Sequence, residues 1–144
     1  MGFGAAIASC MRKFVTFSGR APRAEYWWFI LFTTITSVVF DIIQPVIAAI
    51  LSLVFVLPTL AAGWRRLHDT GKSGLWNLSP LLGLIPIGIG GAADLKFLVY
   101  VGFAIFVGLI LYVLVLTLTR GDVGANKYGD DPYGPGSHDL SVFD

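Results

Sequence analysis

The chain has 144 residues, 56% of them hydrophobic and only 13% charged, with ten Lys and Arg against nine acids and a net charge of +1. Soluble domains carry about a quarter charged residues, so lipid rather than water is the expected solvent for most of this chain. The balanced charge excludes a reader of phosphate backbones, which needs a basic surface, and no nucleic-acid partner is expected.

Met1 is followed by an uncharged stretch rather than a basic segment, so no cleaved secretion signal is expected. Within residues 1–20, Phe3, Ile7, Cys10, Phe14 and Phe17 recur at three- and four-residue spacing, with Arg12 and Lys13 off that stripe. The pattern predicts an amphipathic helix lying along the membrane surface or docking a partner helix. Cys10 is the lone cysteine, which excludes an internal disulfide and a Cys-based metal site.

A hydrocarbon core of about 30 Å takes about 20 apolar residues in a helix rising about 1.5 Å per residue. Four stretches approach that length, at about 26–43, 46–64, 75–93 and 97–119. The first two are separated by "DIIQP", where Asp41 and Gln44 supply polarity and Pro45 suits the first turn of a new helix. A tight hairpin is expected, because one helix across both stretches would run roughly 57 Å and leave Asp41 in lipid. At the turn, Asp41 is expected to be wet.

The third stretch, "LWNLSPLLGLIPIGIGGAA", carries Asn77, Pro80, Pro86 and a run of glycines. Proline and glycine weaken a helix, and irregular backbone in lipid must be shielded. A broken helix lining a transport site and close packing through small residues both account for it. Packing is favoured because Asn77, its one strongly polar side chain, lies near its end. Asp94 and Lys96 form a solvated turn before the fourth stretch. Residues 120–144 read as a tail ordered only by contact with other parts.

Arg12, Lys13, Arg20 and Arg23 precede the first stretch, Arg65, Arg66 and Lys72 lie between the second and third, and Arg120 and Lys127 follow the fourth. Only Lys96 falls on the other side. Short cytoplasmic loops are enriched in Lys and Arg, which places both termini and the central loop in the cytoplasm. Trp27, Trp28, Trp64 and Trp76 sit at the same ends, where indole prefers the headgroup layer. The expected fold is an all-α membrane protein, one membrane domain over residues 1–144. It is a four-transmembrane-helix bundle, N-in and C-in, with an N-terminal amphipathic surface helix.

Gly71-Lys72-Ser73 has the form of the end of a phosphate-binding loop. Such a loop needs glycine five positions earlier, so that successive amides wrap the phosphates, and a strand before it. That position is Arg66 and no strand precedes it. Nucleotide binding is not expected.

Three polar stretches share the expected cytoplasmic side: "FSGRAPRAEYWWF", "GWRRLHDTGKSGLW" and "GANKYGDDPYG". They carry Gly19-Arg20 with Arg23 and an aromatic run, then Arg65-Arg66-Leu67-His68-Asp69 with Gly71 and Ser73-Gly74, then Asn126-Lys127-Tyr128-Gly129 with Pro132. In that order, from Phe17 to Pro132, the chain resembles the bacterial inner-membrane family catalogued as domain of unknown function 805. The resemblance implies a small four-span protein of the bacterial inner membrane. It carries over no catalytic residue.

The residues themselves allow three arrangements. If the second helix runs past Trp64, Arg65, His68, Asp69 and Lys72 share one face and Gly71 caps it, with cations suited to a helix C-terminus and to anionic lipid. Alternatively, Arg65, Arg66 and Lys72, with Arg20 and Arg23, form a pocket for an anionic headgroup or metabolite. In the third arrangement the bases form an electrostatic latch with Glu25, Asp69 and the tail acids Asp130 and Asp131, which lie beside Asn126 and Tyr128. His68-Asp69 has the composition of an acid/base pair, but adjacent helical side chains point about 100° apart. His138 is remote in sequence, and a metal wants three or four convergent ligands. No catalytic residue, metal or cofactor is assigned.

The expected function is that of a structural or accessory protein whose cytoplasmic face binds membrane lipids or other integral membrane proteins. The alternative is a small transporter or channel component with a pathway beside the third span. A third possibility is an enzyme acting on a lipid or nucleotide.

Overall fold

The computed structural model describes residues 1–134, and these are helical throughout apart from connecting turns and one bridge between Asn126 and Gly129. The elements are α1 (Phe3–Arg12), α2 (Arg23–Ile43), α3 (Pro45–Asp69), a 3₁₀ helix (Gly74–Gly83), α4 (Leu84–Ala92) and α5 (Lys96–Leu118). Four segments are long and apolar enough to cross a membrane: α2, α3, the joined Gly74–Ala92 and α5.

Local chemistry sets the boundaries. Pro45 forces its predecessor out of helical geometry, and Gln44 is extended (φ −155°, ψ 95°), so α2 stops and α3 starts one residue apart. At the other end of α3, Gly71 takes a left-handed conformation (φ 68°). Its N–H bonds to the His68 carbonyl (3.0 Å) and that of Lys72 to the Leu67 carbonyl (3.0 Å), a Schellman termination that satisfies two end carbonyls. The α4–α5 turn closes in the same manner around Asp94 (φ 53°), with Leu95 N–H on the Gly90 carbonyl at 2.8 Å. Asp94 is exposed.

The third span is irregular, as its prolines and glycines predict, and the irregularity takes one form. Ser73 caps a ten-residue 3₁₀ helix by accepting from Leu75 N–H, and α4 follows without a break. A 3₁₀ helix rises about 2.0 Å per residue, so the joined segment reaches roughly 34 Å, whereas a plain α-helix of equal length would reach roughly 28 Å. The stretched form covers the full hydrocarbon core. Its glycines give close packing: a Cβ on Gly83 would lie 2.6 Å from Phe106 N, one on Gly102 2.7 Å from the Gly83 carbonyl, and one on Gly90 2.8 Å from Val99 N. Backbone thus meets backbone along the seam with α5.

The helices pair as α2 with α3 and as α4 and the 3₁₀ helix with α5; contact between α3 and the 3₁₀ helix joins the pairs. Burial is inverted relative to a water-soluble domain: Leu53 is 75% exposed and Ile42 80%, while Arg66 is 0% and Arg65 1%. Apolar surface turned outward suits lipid, and charge turned inward must be paired.

In burial, α1 follows the predicted stripe only at Cys10. It ends at Arg12, before Phe14 and Phe17, and its buried residues are Ala6, Ser9 and Cys10. Small side chains let it lie close against α2, where Cys10 joins Phe29 and Ala62 in the core. Phe3 packs edge-on against Trp28, and Phe17 reaches Trp64 from the connecting segment.

Candidate functional site

The last carbonyls of an α-helix lack intrahelical donors and form the negative end of its dipole. At the end of α5 other segments supply those donors. Arg66 Nε (3.0 Å) and Trp27 Nε1 (3.3 Å) donate to the Thr117 carbonyl, Arg23 Nη1 (3.2 Å) to that of Leu118, and Arg66 Nη2 to that of Thr119. The starts of α2 and the end of α3 are thereby fixed to the end of α5.

Asp69 lies at the centre, 1% exposed. One carboxylate oxygen accepts from Arg20 Nε at 2.9 Å and the other from Arg66 Nη1. Arg20, 7% exposed, also donates to the carbonyls of Asp122 and Gly124, both at 2.5 Å, and Asp122 N–H donates to the Asp69 carbonyl at 2.7 Å. A second pair lies beside it: Arg65 Nη1 donates to Glu25 Oε1 at 2.7 Å, and Lys13 Nζ is 4.0 Å from Glu25 Oε2. Cys10 Sγ is 3.8 Å from Glu25 Oε1. Burial, then the neighbouring carboxylate charge, pushes the Cys10 thiol up to about 12, so it is a neutral packing group rather than a nucleophile.

The third motif completes the arrangement. Asn126 Nδ2 donates to the His68 carbonyl and to Asp122 Oδ2, both at 3.0 Å, and its oxygen accepts from Tyr128 N–H at 2.9 Å. That turn lays the Tyr128 ring flat on the His68 ring, centroids 3.8 Å apart and planes within 2°. His68 Nδ1 is 3.1 Å from the Gly19 carbonyl, which can only accept, so Nδ1 carries the proton. His68 and Asp69 therefore face different partners and form no acid/base pair.

The glycines of the central motif fit the same scheme. A Cβ on Gly71 would lie 2.6 Å from Asp122 Oδ2, one on Gly74 2.1 Å from the Trp64 ring, and one on Gly121 2.1 Å from Asp69 Oδ2. Gly71-Lys72-Ser73 is a helix stop followed by a helix cap. Lys72 is exposed and makes no ion pair among the described residues.

Of the residues singled out in the sequence, the structure brings together Arg20, Glu25, Arg65, Arg66, His68, Asp69, Asn126 and Tyr128. Arg23 touches the cluster's edge through Leu118 and is otherwise exposed. Lys72 stands outside. Among the described residues the carboxylates on Arg20, Arg65 and Arg66 are Asp69 and Glu25; Asp131 accepts from the N–H groups of Gly124 and Tyr133, and Asp130 is exposed. The turn around Gly124 and Gly129 directs main-chain carbonyls, not side-chain acids, at Arg20. Sequence reasoning missed Asp122 and these carbonyls; the Gly121 and Gly124 that flank Asp122, directly after the last span, were the available signal. His138 lies outside the described residues. Among the described residues no three His, Cys, Asp or Glu side chains converge to hold a metal.

Comparison with known proteins agrees with a protein of the inner membrane. A family model described as "Protein of unknown function (DUF805)" matches residues 14–130. The inner membrane protein YhaI of Escherichia coli (strain K12) is 35% identical over 131 residues, spanning 86% of this chain and 92% of its own. The inner membrane protein YhaH of the same organism is 30% identical over 133 residues, spanning 85% and 91%. No solved structure matches. That match covers all four apolar spans and most of the chain, and the chain belongs to the DUF805 family, whose relatives here are inner-membrane proteins.

Proposed function

We propose that this protein is a structural or accessory component of the bacterial inner membrane, associating with lipids and neighbouring integral membrane proteins, with its charged end in the cytoplasm. One observation carries this: Arg20, Arg65 and Arg66, the cations best suited to gripping a soluble anion, are buried and held by the protein's own carboxylates and carbonyls, with only Arg65 Nη2 left without a partner among the described residues. A pocket built for a metabolite would hold such groups open. What remains outward is lipid-facing apolar surface and rim cations such as Arg23, Lys72 and Lys127. Two features support the orientation, the clustering of Lys and Arg at this end and the tryptophans beside them.

A transport role draws support from grooves that carry hydroxyl groups. A groove with hydroxyls lies between α2 and α3, about 490 Å³ in volume, lined in part by Thr33, Thr34, Ser37, Ser52 and Thr59, and a smaller one of about 370 Å³ lies along the third span with Ser73 and Ser79. Thr33 bonds its own helix at Ile30, and Ser37 lies 3.5 Å from Ser52, so helix-helix contact accounts for much of this polarity.

Reconstitution separates the two. The accessory role predicts vesicles no leakier to protons, ions and small anions than empty ones, and site-specific cross-links in cells from α2 or α5 to defined membrane proteins. Flux that Thr34→Val or Thr59→Val abolishes would replace it with transport. For orientation, Lys72→Cys and Asp94→Cys in a Cys10→Ala background should react with an impermeant thiol reagent from the cytoplasm and the periplasm respectively. Reversed labelling overturns it.

A further inference from the structure

We propose that the first half of α2 carries a site for one anionic phospholipid, its phosphate held by Arg23 and an acyl chain lying along Ala24, Trp28 and Leu31. This rests on the membrane placement proposed above and specifies one lipid contact within it.

Arg23, Ala24, Trp27, Trp28 and Leu31 fall on one face of α2 and line an open groove of about 510 Å³. The groove lies open because α2 packs chiefly against α3 and α1, with Trp27 and Arg23 reaching the end of α5. Its two ends differ in chemistry. At the top, Arg23 is exposed and commits Nη1 to the Leu118 carbonyl; its other N–H groups have no partner among the described residues. This distinguishes it from Arg20 and Arg66, whose guanidinium nitrogens are all bonded, and from Arg65, which is buried. Below it the wall is apolar, with Trp28 39% and Leu31 42% exposed.

Trp27 sets the depth. Its indole N–H is held by the Thr117 carbonyl, which fixes the ring where α5 ends and places the groove's mouth at the headgroup layer. A groove at that depth fills with an acyl chain, and the guanidinium above it offers forked donors that match phosphate. Charge complementarity selects an anionic headgroup: a zwitterionic lipid brings its own cation beside Arg23, an anionic one does not. One basic group at an anionic surface is worth about a fivefold preference.

The test uses the full-length protein in detergent, with phosphatidylglycerol, phosphatidylcholine or inorganic phosphate as probes, and reads retained lipid by native mass spectrometry and melting temperature. Phosphatidylglycerol should be retained about fivefold over phosphatidylcholine and raise the melting temperature selectively, while inorganic phosphate should do nothing. Arg23→Gln should abolish the preference, and Ala24→Trp, which fills the groove and keeps every cation, should abolish retention of the first lipid molecule. Lys72→Gln should leave both unchanged. Equal retention of the two lipids, a full effect from phosphate alone, an unaltered preference in Arg23→Gln or an equal loss in Lys72→Gln would each overturn the site. Because Arg23 also caps α5, Arg23→Lys serves as the folding control: charge is kept, and most of the preference should remain. Failure here leaves the accessory role standing, since that role falls to measured flux and not to lipid selectivity.

Discussion

Replacing Asp69 with asparagine removes one charge, changes almost no volume and leaves Arg20 and Arg66 buried without their shared carboxylate. Removing one partner of a buried ion pair costs about 3 to 5 kcal/mol, because the remaining charge stays desolvated. Two charges are stranded here, which argues for the upper end. Both, however, keep carbonyl acceptors, Arg20 at Asp122 and Gly124 and Arg66 at Thr117 and Thr119. The new amide also points N–H at a guanidinium. We expect a loss of about 3 kcal/mol, read as a fall in the melting temperature by tryptophan fluorescence in mild detergent. The loss should appear first in the tail: limited proteolysis near residues 120–134 should accelerate at temperatures where the spans remain intact. Lys72→Ala, on the same loop but exposed, should change neither reading. If Asp69→Asn melts within about 0.5 kcal/mol of the parent, the range of an ordinary surface substitution, the cluster does not hold this end together.

Gly102→Leu should separate α5 from the third span, since even a Cβ would lie 2.7 Å from the Gly83 carbonyl; overpacking of this kind costs about 1 to 3 kcal/mol, and an unchanged melting temperature would contradict the packing. With the Cys10 thiol pushed up to about 12, its thiolate fraction at pH 8 is roughly a thousandfold below that of an ordinary cysteine, so alkylation should be very slow in the folded protein. Because that value is raised above the unfolded one, the associated stability is intact below about pH 9 and is lost as pH rises toward 12; Cys10→Ala should flatten the alkaline decline in melting temperature. Millimolar ATP should leave the melting temperature unchanged, and a shift abolished by Lys72→Ala would restore a nucleotide role. Ending the chain after Arg120 removes the Asp122, Gly124 and Asn126 partners of Arg20 and His68 and should lower the melting temperature as much as Asp69→Asn.

The spans were legible because their cause is local: about 20 apolar residues suffice to cross lipid, and Gln44-Pro45 marks a helix boundary by backbone sterics alone. The end of α3 was legible in part, since Gly71 announced a cap and Glu25 and Asp69 were the acids nearest the bases. The pairing was not. Arg20 and Asp69 are 49 residues apart, and which carboxylate meets which guanidinium depends on how α2, α3 and α5 dock. Composition favoured Asp130 and Asp131 because they are charged, whereas the folded tail presents carbonyls, which every residue possesses and no composition reveals. α1 was legible only in part: the stripe rightly included Cys10 but otherwise took large residues, whereas close approach to α2 also needed the small Ala6 and Ser9.

The cluster at the end of α3 holds three arginines against two carboxylates, Arg20, Arg65 and Arg66 with Glu25 and Asp69. All five are made before α5. On the proposed topology, a nascent chain that has threaded only its first two spans carries an unmatched positive charge at this end, the signal that holds a segment back from translocation. When α5 arrives, its C-terminal carbonyls and dipole meet that charge. On that topology Arg66 acts twice in order of synthesis, first as part of a topological anchor facing water and lipid phosphate, then as the socket that receives the final span. Arg66 changes from one role to the other only once, when the chain is complete enough to bury it.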